Sequence, residues 1–152
     1  MISSLSIDHG KLDCIRSLAA QSHGTSGQAR KNLQGFITIG LGRCIDPRKP
    51  NSGLLPAEID LLFLEDVANT SEQLSRALPW FLSSPSRVQI ALIVIALDLG
   101  GIESILTWRR VLTALELSDY RAAREYLANT SWFLLSARRP HAKKILALVN
   151  GD

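Results

Sequence analysis

The amino-acid sequence predicts an α+β fold that is mainly α-helical. Over most of the chain, apolar residues recur three and four positions apart, which is typical of helices that pack on a core. One short stretch, residues 36–39, alternates as a strand does and is followed by Gly40 and Gly42, which indicates a hairpin. With 152 residues, 46% of them hydrophobic, the chain is long enough for one compact domain.

Local signals place the elements of the first third of the chain. Apolar residues at helical spacing predict a first helix over residues 8–22. The segment "SHGTSGQ" that follows has no apolar periodicity and is rich in turn-forming residues. Strand character then continues to Ile45, and "DPRKPNSG", with two prolines, an asparagine and a glycine, is predicted to be a loop.

The remainder of the chain predicts helices alone. A long helix begins at Pro56, since proline suits a first helical turn, and an apolar stripe continues to Leu78. Residues 86–99 are apolar on all sides, which indicates a central buried helix that ends at the glycine pair 100–101. Further helices are expected over residues 102–115, 118–128, 130–136 and 139–149.

This order of elements predicts a single domain with two lobes. Residues 1–56 form a small N-terminal lobe with the hairpin, residues 57–78 a linking helix, and residues 79–152 an all-helical C-terminal lobe.

Composition excludes several classes of protein. The longest apolar run, residues 88–99, is too short to cross a bilayer, so no membrane span is expected. The net charge of +3 permits an acidic partner without requiring one. Cys14 and Cys44 form neither a disulfide framework nor a metal-binding spacing, and no cofactor or metal is expected. The first residues lack the basic and long apolar regions of a secretory signal, which predicts synthesis in the cytoplasm.

Four segments resemble the phage lysozymes of the T-even type, a family of muramidases within the glycoside hydrolases. The first, "GFITIGLGR", is similar to the family's hairpin motif Gly-x-x-Thr-Ile-Gly-x-Gly-His. The others follow in the family's order and are similar to its central buried helix, a later helix and its closing helix: "ALIVIALDLG", "LSDYRAAREYL" and "ARRPHAKKILAL". The resemblance spans most of the chain and implies a phage-lysozyme-like two-lobed fold.

The resemblance also implies hydrolysis of peptidoglycan by a Glu at the end of the first helix, an Asp and a Thr. Counting back from Thr38 without gaps places Asn32 at the Asp position and His23 at the Glu position, with Arg43 in place of the usual His. A second register, which needs an insertion, aligns Asp8-His9-Gly10 with the family's Glu-Gly and again gives a histidine. No glutamate occurs before Glu58.

These replacements predict impaired chemistry. Glycoside hydrolysis needs an acid that protonates the leaving oxygen and an acceptor that holds water on the opposite face of the sugar. After proton transfer a carboxylate stabilises the cation-like transition state, whereas neutral imidazole does not, and the Asn32 amide cannot act as a base. We therefore expect a lysozyme-like protein that binds cell-wall glycan or a protein partner in its cleft with little or no cleavage. Two alternatives stay open: an active muramidase whose acid is His23, Asp8 or Asp46, and an effector or regulatory module that binds a protein.

Other residues receive roles by the same resemblance. Gly40, Asp98 and Gly100 are candidate substrate-binding residues, beside the candidate catalytic positions His23, Asn32 and Thr38. Peptidoglycan or a related glycan is the expected partner, at the periplasm or cell wall after release or export; nucleic acid is not expected. The tryptophans are expected mainly in the core, and basic residues crowd the last third of the chain: Arg109, Arg110, Arg121, Arg124, Arg138, Arg139, Lys143 and Lys144.

Overall fold

A computed structural model describes residues 9–23, 27–136 and 140–151 of the chain. The fold is mainly helical with one small antiparallel sheet, which confirms the predicted α+β, mainly α, class. The chain divides into two compact units, residues 1–59 and residues 60–152. In the described part, no helix combines the length and apolar character needed to cross a bilayer.

The first unit holds a helix and the sheet. Helix α1 spans His9–His23. Strands β1 (Arg30–Lys31), β2 (Ile37–Ile39) and β3 (Arg43–Cys44) form an antiparallel sheet in that order. Gly40 and Gly42 both have positive φ, 60° and 107°, and this left-handed backbone lets the chain turn between β2 and β3.

Helix α2, Pro56–Ala77, begins where proline predicts it. The Glu58 carboxylate reaches back to accept the backbone N–H of Leu55 at 2.7 Å, which satisfies one of the N–H groups that a helix start leaves unpaired. The helix ends in the second unit, where Leu74 and Leu78 are buried. Among the described residues, these two are the only members of the apolar stripe that belong to the core.

The second unit is built from helices around one core. After a short 3₁₀ turn, Phe81–Ser83, come α3 (Ser86–Leu99), α4 (Glu103–Leu106), α5 (Arg109–Glu116), α6 (Tyr120–Ala128), α7 (Ser131–Ser136) and α8 (Pro140–Asn150). Helices α5 and α8 pack on α6, and α3 packs on α8. The buried residues of α8 follow helical spacing: Ala142, Ile145, Leu146 and Val149.

One helix boundary differs from the prediction. The single helix expected over residues 102–115 is two helices, α4 and α5, separated at Thr107 and Trp108. The Thr107 hydroxyl donates to the Ser104 carbonyl at 2.6 Å, and Trp108 leaves the helical region with φ −83° and ψ 59°. The side chain of Thr107 thus uses a carbonyl at the end of α4, and periodicity alone does not reveal this break.

The end of α5 forms a Schellman motif around a residue other than glycine. Ser118 has a left-handed φ of 59°, and its N–H donates to the Leu115 carbonyl at 3.0 Å. The next N–H, from Asp119, donates to the Ala114 carbonyl at 2.8 Å. These two bonds satisfy carbonyls that the helix end leaves open, at a site where glycine is usually found.

Candidate functional site

Thr38 and Gly40, two of the candidate site residues, lie in β2 and in the turn that follows it. Thr38 occupies the middle of β2, opposite Arg30 on one side and Cys44 on the other. It is buried, and its hydroxyl donates to the Arg30 carbonyl at 3.3 Å. Gly40 follows directly after β2 and begins the turn to β3. The sheet therefore fixes Thr38 on a short, tightly turned strand.

Asn32 organises the turn between β1 and β2. Its side-chain Oδ1 accepts the N–H groups of Gln34 and Phe36, both at 3.0 Å. Its backbone closes the same turn, since its N–H donates to the Phe36 carbonyl and its carbonyl accepts from Gly35, each at 2.9 Å. The oxygen that could orient a water is thus engaged in shaping the hairpin.

His23 is the last residue of α1. Its side chain lies outside the part of the chain that the structure describes, as does Asp8. In the ungapped register, His23 is expected where the family closes its first helix with the catalytic Glu, and α1 ends at that position. In the second register the matching residues, His9 and Gly10, lie at the start of α1. Both registers stay predictions.

Asp46 forms a buried ion pair that the sequence alone did not indicate. Its side chain is fully buried; Oδ2 accepts the Ile37 N–H at 2.9 Å and Arg48 Nη2 at 2.6 Å, and Oδ1 accepts Arg48 Nε at 2.8 Å. Arg48 also donates to the Gly35 carbonyl at 2.8 Å, so the pair connects the loop to the β1–β2 turn and to the first residue of β2. The only sequence signal is an Asp followed two residues later by Arg in a proline-rich loop.

These bonds hold Asp46 in its ionised form. The hydrogen bonds from the Arg48 guanidinium, followed by that from the Ile37 N–H, lower the pKa of the Asp46 carboxyl far below its ordinary value. Burial acts in the opposite direction and is outweighed. The same pairing raises the pKa of Arg48. A carboxyl with such a low pKa cannot donate a proton near neutral pH.

The Glu58 carboxylate is also paired within the protein. Its Oε1 forms an ion pair with Arg43 of β3, while Oε2 accepts the Leu55 N–H at the start of α2. Arg43 therefore joins the sheet to the first turn of α2.

In the second unit, Asp98 gathers two side chains from distant parts of the chain. Its Oδ2 accepts Trp132 Nε1 at 3.1 Å and lies 2.9 Å from His141 Nε2. Trp132 is 3% exposed, as expected for a core tryptophan, while the side chains of Asp98 and His141 are 30% and 38% exposed. Asp98 Oδ1 forms no hydrogen bond with another described residue, and the carboxylate as a whole is partly exposed.

Gly100, the last candidate, ends α3 two residues after Asp98. Its left-handed φ of 73° lets the Gly101 N–H bond back to the Ala96 carbonyl at 2.9 Å. The structure thus gathers Asn32, Thr38 and Gly40 around the sheet of the first unit, and Asp98 and Gly100 at the end of α3 in the second. His141, more than forty residues from Asp98 in the chain, was missed because a lone histidine carries no pattern.

In the described ranges, no group of three metal-ligating side chains comes together. A scan against models of protein families finds none that matches this chain. A search of the curated proteins finds no significant match either.

Proposed function

We propose that this chain is a lysozyme-like protein, related to the peptidoglycan-degrading phage endolysins, whose glycosidase chemistry is impaired and which binds cell-wall glycan. The observation that carries the proposal lies in the sequence: counting back from Thr38, the family resemblance assigns His23 to the position of the catalytic Glu. The order of elements agrees with the proposal: a first helix, a small antiparallel sheet, a long helix and a helical remainder.

The state of the remaining acids supports an impaired reaction. A glycosidase acid must stay protonated until it meets its substrate, which requires a raised pKa. In the described part of the first unit, Asp46 is held as an anion by Arg48, and Glu58 is paired with Arg43. Asp13, the other acid there, is exposed in the middle of α1. This arrangement argues against Asp46 as a relocated acid and leaves His23 and Asp8 to the active alternative.

Glycan binding is supported by the partly exposed carboxylate of Asp98. A carboxylate on a side chain anchored by Trp132 and His141 is suited to accept a sugar hydroxyl. Because the bonds on Oδ2 already hold the side chain in place, less conformational entropy is lost when a ligand binds. The protein would act at the cell wall after release from the cytoplasm or as an exported effector.

The decisive experiment measures both cleavage and binding. We expect the purified protein to clear permeabilised Gram-negative cells at least ~100-fold more slowly than an ordinary phage lysin, since loss of a general acid costs ~10²–10⁴ in rate. We also expect it to sediment with purified sacculi, and Asp98→Ala to weaken that retention while Asp119→Ala, on another part of the same unit, leaves it unchanged.

A rescue variant tests whether only the catalytic groups have been lost. His23→Glu combined with Asn32→Asp should restore clearing, and the aspartate keeps the oxygen that accepts the Gln34 and Phe36 N–H groups. His23→Gln combined with Asn32→Asp is the matched control and should stay inactive. Lysis by the unmodified protein at a normal rate, abolished by His23→Ala, would replace the proposal with the active alternative. Absence of retention on sacculi at low salt would favour a protein-binding module.

A further inference from the structure

A groove runs between α5 and α6 in the second unit. It consists of two adjoining hollows, of about 340 and 610 Å³, that share Arg109, Arg110 and Tyr126 in their walls. Trp108 lines the larger hollow and Leu117 the smaller one. The groove involves none of the residues assigned to glycan binding above.

The two arginines of this groove have no acidic partner in the described part of the chain. Arg109 and Arg110 are exposed, and in the described part of the chain neither forms an ion pair. The Arg110 guanidinium lies 5.9 Å from the centre of the Tyr126 ring, which orients it without neutralising it. Asp119, the acid in the wall of the smaller hollow, accepts the Ala122 N–H at 3.0 Å and caps α6.

Three neutral polar side chains of the groove donate hydrogen bonds within the protein. The Thr107 hydroxyl donates to Ser104, the Thr130 hydroxyl donates to Leu127 at 2.7 Å, and the Asn129 amide donates to Glu125 at 2.8 Å. The two guanidinium groups are the charged donors of the groove. Leu117, 74% exposed, adds an apolar contact on the rim. An occupant needs negative charge together with apolar side chains.

We propose that this groove binds an acidic peptide segment of a partner protein, with carboxylates on Arg109 and Arg110 and apolar side chains against Leu117 and Trp108. Guanidinium and carboxylate match in geometry and form paired hydrogen bonds. Two guanidinium groups are too few to hold a nucleic acid at physiological salt, where affinity grows with the number of phosphates neutralised. The Tyr126 face is also taken by Arg110, so it does not offer a platform for a base.

The test uses the full-length chain and a fluorescein-labelled peptide of alternating Glu and Leu, with binding measured by fluorescence anisotropy. The double variant Arg109→Gln, Arg110→Gln should lose at least about tenfold in affinity, because hydrogen bonds to charged groups contribute more than neutral ones. The control Arg121→Gln, Arg124→Gln removes the same charge from exposed positions on α6 outside the groove walls and should stay within about threefold.

Two further probes decide the outcome independently of the variants. The same peptide with Lys in place of Glu should not bind, and single-stranded DNA of equal charge should bind more weakly than the acidic peptide. Equal losses in the two double variants, tighter binding of the DNA, or no binding of the acidic peptide at about 1 mM, would each overturn the proposal. Thermal melting of both double variants should be unchanged, since all four arginines are exposed.

Discussion

Replacing Asp98 by alanine should destabilise the second unit. Trp132 is 3% exposed and its indole N–H donates to Asp98, so alanine would leave a buried donor without its partner. An unsatisfied buried donor costs ~1–3 kcal/mol. The contact with His141, a partly exposed group, adds at most ~1 kcal/mol. We therefore expect the free energy of unfolding to fall by about 2 kcal/mol.

Calorimetry gives the most direct measurement. In a domain of 60–100 residues, 1 kcal/mol corresponds to roughly 4–8 °C, so Asp98→Ala should lower the Tm of the second unit by about 8–16 °C. Asp98→Asn keeps an oxygen acceptor for the indole and should lose less than half as much. A second comparison uses Trp132→Phe, which removes the donor, so that Asp98→Ala should then cost clearly less.

Two results would refute this reasoning. Equal destabilisation by asparagine and alanine would show that the hydrogen bond to Trp132 is not the source of the effect. An equal cost of Asp98→Ala with and without the indole N–H would show that the two side chains are not energetically coupled.

Two other perturbations follow from the structure. Ser118→Gly should raise the free energy of unfolding by up to ~1 kcal/mol, measured by urea denaturation, because glycine adopts the left-handed φ of 59° without strain. Acidification should weaken the first unit through Asp46: its folded-state pKa is lowered, so its stabilising contribution is complete above the ordinary carboxyl pKa and declines as the pH falls toward the folded value. Asp46→Asn should remove that part of the dependence of stability on pH, which circular dichroism can monitor. An unchanged profile of stability against pH would contradict the assignment.

The spacing of apolar residues, together with prolines and glycines at helix ends, predicted most of the helices. Pro56 and the glycine pair at 100–101 mark ends that agree with α2 and α3, and Pro140 begins α8 as expected. The reason is physical: proline and glycine act through the backbone at their own positions, so their effect is readable locally. The break between α4 and α5 could not be read, because the Thr107 hydroxyl competes for a carbonyl inside an unbroken apolar pattern.

The candidate site residues show the same difference between local signals and contacts that form only in the folded chain. Thr38 lies in a strand and Gly40 in the turn after it, as predicted, because strand alternation and turn glycines are local signals. The roles of Asp46 and Asp98 depend on partners that only the folded chain brings near them: the backbone of Ile37 for the first, and Trp132 and His141 for the second. Charge and spacing along the sequence do not encode which carboxylate becomes buried.

Every buried apolar residue in the described chain lies at or beyond Leu74, whereas the fully buried side chain of the first unit is the carboxylate of Asp46. The helical unit therefore has a hydrophobic core in which many buried side chains share the stabilisation. The described part of the sheet has no such core. Water that reaches the Asp46–Arg48 pair competes directly for the bonds that keep the hairpin closed. We therefore expect amide hydrogen exchange in the sheet to require a smaller free energy of opening than exchange in the buried helices.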